Sequence, residues 1–222
     1  MPAVAADKAA AATLPALRRW QAQRLARTYA DLQADERYAQ AAAFFLTDLY
    51  GDADFAARDQ QVRRAYPLIA KALPKAALAP ISDALELHAL SAELDGKLCE
   101  VLAAEFGAKA RITDALYAES YRLCRNRAQR LRQIRLIVSV GKDLDRVVAR
   151  PLLYRMLLLA RRPAHSAGFG ELQDFLERGF VAFRRMGGAE AFLQTIEKRE
   201  TLILERLFAG KPHPFDVTTA AK

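Results

Sequence analysis

Apolar residues recur at intervals of three and four along most of the chain, and strict alternation nowhere persists long enough for a half-buried strand. Leucine and alanine dominate these stripes, and both favour helix. The pattern predicts helices near 15–33, 36–50, 54–66, 68–79 (in broken turns), 81–107, 110–149, 151–162, 169–186 and 188–209. Gly51 closes one of them, Pro67 and Pro74 interrupt the next, Gly107 separates two long ones, and Pro151 suits a first helical turn. Gly187-Gly188 predicts a tight connection that would set the final two helices antiparallel. A straight helix over 110–149 would run about 60 Å, long for a compact domain, so a kink or break near Gly141 is expected. The fold class is all-α: a single-domain bundle of about seven to nine helices, one of them long and kinked. The alanine-rich residues 1–13 read as a disordered leader, 14–209 as the bundle, and the proline-bearing 210–222 as a disordered tail.

Projecting each helix at about 100° per residue shows which polar residues fall among apolar ones. In 36–50, Tyr38, Ala41, Ala42, Phe45 and Leu49 share an arc that Phe44 widens, and Asp48 falls between Phe44 and Phe45, whereas Thr47 faces away. Over 81–107 a wide leucine arc encloses His88, Ser91 and Asp95, while Glu86, Glu93, Lys97 and Glu100 face water. Glu200 falls among Leu193, Ile196, Ile203 and Leu204, and Asp59 shares a face with Phe55, Val62 and Tyr66. A buried carboxylate needs a cation or must lose its charge. Arg127 and Arg130 project onto the apolar side of their helix, and a guanidinium fork bonds two carboxylate oxygens at once, so Asp48 is expected to meet one of them. Together Asp48, Asp59, His88, Ser91, Asp95, Arg127, Arg130 and Glu200 form the expected structural polar network. Trp20, with Leu14, Leu17 and Leu25, anchors the first helix, and Phe175, Phe180 and Phe183 make a core stripe.

The stretch Arg37-Tyr38 through Gly51, with Phe44-Phe45-Leu46-Thr47-Asp48-Leu49-Tyr50 inside it and "DFAARD" following, resembles the bacterial proteins named for an FFLEELY motif. The resemblance extends to "ELHALSAELD" and "GFGELQDFLERGF". Here both glutamates of the motif are replaced: Asp48 keeps the second acid, and Thr47 loses the first. The resemblance implies a helical fold without an assigned activity, and it brings no catalytic residues.

Charge localises the remaining chemistry. The net charge is +8, and residues 111–165 alone carry +9. In that segment Arg122, Arg125, Arg132 and Arg135 spread over one outer arc, a basic face for an acidic protein partner, with nucleic acid the weaker alternative because only Tyr121 and Tyr154 lie nearby as stacking platforms. No glycine-rich phosphate loop, CxxC pair, HExxH or GxSxG occurs, and no acid stands three residues before a histidine as di-iron bundles require. The sequence thus predicts no catalytic residues, no metal ligands and no cofactor; a metal or haem held near His88 inside the bundle is the competing reading. Two cysteines, Cys99 and Cys124, make no disulfide framework, the start lacks a signal-type apolar run, and the longest apolar run, 151–160, contains Arg155, so a cytoplasmic protein without membrane association is expected. The functional expectation is a non-catalytic binding or scaffolding module.

Overall fold

Alanine and leucine place most of the described residues in helix. The computed structural model describes residues 2–49, 61–62, 64–65 and 75–217, with side chains for 8–47, 61–62, 64–65 and 82–217. Among the described residues there are nine α-helices and no strand: α1 (Pro2–Thr28), α2 (Ala30–Ala34), α3 (Ala39–Phe44), α4 (Lys75–Phe106), α5 (Asp114–Leu123), α6 (Arg127–Val148), α7 (Pro151–Ser166), α8 (Gly170–Met186) and α9 (Glu190–Phe208). A π-helical turn, Phe45–Leu49, continues α3. The helices expected over 54–66 and 68–79 lie largely outside the described residues.

Several boundaries differ from the sequence expectation, each for a physical reason. The leader is helical from Pro2, because alanine is the best helix former, and Thr13 within it is buried, its hydroxyl donating to the Ala9 carbonyl at 2.9 Å. The long element over 110–149 is interrupted at Cys124–Asn126 rather than at Gly141. Arg125 there adopts φ 52°, a left-handed conformation that ends α5. Gly141 lies inside α6 instead, where a Cβ would come 2.4 Å from Leu193 Cδ2; its lack of a side chain permits close approach. Thr113 caps α5, its hydroxyl accepting from the Leu116 amide at 3.3 Å. Pro151 occupies the first turn of α7.

The chain divides into two compact units. The first comprises Met1–Ala30, Leu85–Val138 and Gln194–Lys222; the second, Asp31–Ala84 and Ser139–Leu193. In the first, Trp20 stacks on Tyr117 at 3.9 Å between ring centroids, and Leu17, Leu98, Leu102 and Leu207 close around them. The expected tail is part of this core: Phe215 meets the edge of Trp20 at 5.4 Å, Val217 is buried, and Arg206 donates to the Asp216 carbonyl at 2.8 Å. Two prolines exclude helix from this segment, and its aromatic side chain binds the core without one.

The second unit is built on phenylalanine. Phe44 packs against Phe175 at 5.3 Å, and Phe45 lies between Phe183 at 6.0 Å and Phe192 at 5.7 Å. Gly179 admits the Phe44 ring, which a Cβ would meet at 2.9 Å. Arg37 closes the end of α8, donating to the Met186 carbonyl at 2.6 Å and the Gly188 carbonyl at 3.1 Å, where a cation complements the helix dipole. α7 and α8 form an antiparallel hairpin: Tyr154 stacks on Phe180 at 5.0 Å, Arg161 binds Glu177, and His165 meets Asp174 at 2.9 Å.

Candidate functional site

The polar residues that projection placed among apolar ones meet different fates. Asp59 and the side chain of Asp48 lie outside the described residues. Arg127, expected inward, is exposed and pairs with Glu205, so it is not available as a buried partner. His88, also expected inward, is exposed: from Ser82 to Glu93 α4 has no buried residue, and the first buried one among its described side chains is Leu94. A helical face can be apolar without being covered along its whole length. An interior metal or haem site at His88 loses its premise, and among the described residues no group of three or more His, Cys, Asp or Glu side chains could hold a metal.

The rest fall into separate hydrogen-bonded groups in the first unit. Arg130 is buried; it donates to the Leu94 carbonyl at 3.2 Å and to Gln133 Oε1 at 3.4 Å, and its guanidinium lies 4.6 Å from the Tyr121 ring centre. Gln133 donates in turn to Ser91 at 2.8 Å. Asp95 accepts from Gln21 at 2.9 Å. Burial raises the Asp95 pKa above the usual carboxylate value, against the opposing pull of the Gln21 hydrogen bond and the charges of Arg130 and Arg18. Glu200 accepts from Arg24 at 2.6 Å and from the Tyr29 hydroxyl at 2.8 Å. Burial alone would lower the Arg24 pKa, but the Glu200 carboxylate, with Tyr117 and Tyr29 beside it, more than reverses this. Arg199, beside Glu200, donates to the Thr28 carbonyl at the end of α1 at 2.9 Å.

Sequence reasoning missed Arg24, Gln21 and Tyr29. The signal was present: on α1 the positions 17, 21, 24 and 28 share a face, so Gln21, Arg24 and Thr28 stand in line with Leu17. The same projection that singled out Asp48 finds the buried arginine that answers Glu200.

These groups hold helices together rather than present reactive atoms. Burial pushes the Cys99 thiol up to about 12 and raises Cys124 as well, so neither is a thiolate nucleophile at neutral pH. Burial likewise raises the Tyr117 and Tyr121 phenols, against the opposing charge of Arg130. In the second unit Glu36, Ala39, Gln40 and Arg185 line a shallow depression of about 580 Å³.

The basic arc is divided by the break at 124–126. Arg122 belongs to α5 and pairs with Glu119; Arg125 is in the connection; Arg132 and Arg135 belong to α6, and Arg132 donates to Glu86 at 2.6 Å. Two of the four charges are thus compensated within the chain.

α7 is the helix with an open face. None of its residues is buried, and Leu152, Met156 and Leu159 are 70%, 63% and 78% exposed. Its other side meets α8 through Tyr154, through the Leu157 carbonyl, which accepts from Gln173 at 2.7 Å, and through Arg161. The helix contains three arginines and no acid.

Residues 2–214 match the family model described as Domain of unknown function (DUF8198), and the chain belongs to that family. No curated protein and no solved structure matches it.

Proposed function

We propose that this member of a family of unknown function is a non-catalytic binding module whose contact surface is the outer face of α7. The supporting observation is the row Leu152, Met156 and Leu159, each more than half exposed on a helix whose opposite side is already packed on α8. Contiguous exposed apolar surface marks interaction sites. The bordering arginines favour an acidic protein partner. They take over the role that the sequence assigned to Arg122, Arg125, Arg132 and Arg135, two of which are already ion-paired.

Two phenylalanines of the motif stretch, Phe44 and Phe45, fill the core of the second unit, and this supports kinship with the FFLEELY-motif proteins through fold rather than chemistry. Two free cysteines, one fully buried, suit a reducing cytoplasm, and among the described residues no helix is long and apolar enough to cross a membrane.

A photo-cross-linking side chain at position 159, compared with one at the exposed Glu197, tests the reading in the native host. Discrete adducts at 159 that are absent at 197 are expected; equal or no labelling at the two positions rejects α7 as the contact surface.

A further inference from the structure

The partner's shape follows from the spacing on α7, and this step rests on the reading of α7 as the contact surface. Leu152, Met156, Leu159 and Pro163 succeed one another by four, three and four residues. That is the seam by which one helix receives another, knobs into holes. Arg155 and Arg162 are seven apart, so they stand above one another along one flank of the seam. Both are exposed, and no described acid pairs with either, whereas Arg161 on the inner side is bound to Glu177.

From the seam and its one-sided charge we infer that α7 docks an acidic amphipathic helix of a partner protein, with apolar residues in the seam and carboxylates spaced by seven opposite Arg155 and Arg162. Each guanidinium then gains a carboxylate at the edge of an apolar contact, where water is partly excluded and the attraction exceeds that of a solvated pair. A second copy of this chain fits less well, because antiparallel pairing of two α7 helices sets Arg155 against the copy's Arg162. An anionic membrane surface shares the need for an apolar row beside arginines, and the vesicle arm of the test separates it from a helix.

The test uses the full chain and two synthetic helical peptides with identical leucine seams, one flanked by glutamates and the other by lysines. Anisotropy titration is expected to give roughly tenfold or greater preference for the glutamate peptide, weakening with salt. Arg155→Glu with Arg162→Glu should reverse the preference, and Leu152→Ser with Leu159→Ser should abolish both affinities while leaving the circular-dichroism spectrum unchanged. Equal affinity for both peptides rejects the acidic helix while leaving α7 as a binding face. So does binding to anionic phosphatidylserine vesicles, or dimerisation seen by sedimentation, if the serine substitutions remove it and the glutamate peptide does not bind. Absence of peptide, vesicle and self-association together rejects the binding face as well.

Discussion

At the residue scale, Glu200 and Glu205 sit on the same helix, and each pairs with one arginine from elsewhere in the first unit. The side chains of Arg24 and Glu200 are 11% and 16% exposed, those of Arg127 and Glu205 50% and 46%. Removing Glu200 leaves a buried guanidinium and the Tyr29 hydroxyl without their acceptor, so Glu200→Ala should destabilise by about 3–5 kcal/mol. Glu205→Ala removes a solvated pair and should cost under about 1 kcal/mol. Urea denaturation of the two variants checks this; similar midpoints would show that Arg24 finds water or another acceptor. Asp95 gives a second residue-scale expectation, with its sign set by burial. Its folded pKa is raised, so the unfolded chain ionises it first, from about pH 4. Stability then declines as pH rises from there through the folded value, because the native state must accommodate a buried charge. Asp95→Asn keeps the acceptor for Gln21 and removes the charge, so it should flatten that part of the stability profile. Parallel profiles for the wild type and the variant, from urea midpoints across a pH series, would contradict it.

At the scale of elements, glycines act oppositely according to what faces them. A Cβ at Gly179 on α8 would meet the buried Phe44 ring at 2.9 Å, and an aromatic ring has little room to yield. Gly179→Ala is expected to destabilise by about 1–3 kcal/mol, the usual cost of overpacking. Gly96, inside α4, has nothing within 4 Å of its would-be Cβ, so Gly96→Ala should stabilise by about 0.5–1 kcal/mol through chain entropy. Thermal unfolding of the pair supplies the comparison, and two shifts of the same sign would show that helix propensity outweighs the approach of α3 to α8. The motif stretch belongs to this scale too. Phe44 ends α3 and Phe45 begins a π-helical turn, so the two rings diverge, one to Phe175 and the other toward Phe183 and Phe192. A uniform 100° projection does not hold through such a turn.

At the scale of the whole molecule, the first unit is assembled from three distant stretches of chain, and Trp20, Tyr117 and Phe215 bring one residue from each into a single aromatic cluster. Trp20 is the chain's single tryptophan and is 6% exposed, so its emission reports on this closure. Phe215→Ala should destabilise by about 3–5 kcal/mol and shift tryptophan emission to the red as water reaches the indole. An unchanged spectrum with unchanged stability would mean that the terminal segment packs without contributing. The net charge belongs to this scale only in part. The surplus over 111–165 is drawn down by Glu86 and Glu205 from elsewhere in the first unit, and the exposed arginines beside an apolar row are those of α7.

By itself the sequence determined the helical class, the aromatic filling by Phe44, Phe45 and Phe183, the inward direction of Asp95 and Glu200, and the absence of a recognisable catalytic motif, because all of these follow from local spacing or residue type. Tertiary structure decided what spacing cannot carry. Periodicity gives a direction around a helix axis; it does not say how far along that axis a neighbour extends, and so His88 is exposed although Leu94 and Leu98, farther along the same wide arc, are buried. Nor does it say where the phase is reset, so the left-handed Arg125 moved the break away from Gly141 and parted the arginines expected on one arc. Arg24 lay on a legible face, but which carboxylate it would meet depended on bringing together residues 176 positions apart. Covering is decided by the same long-range assembly: it gave Phe215 a core at the far end of the chain and left the row on α7 uncovered.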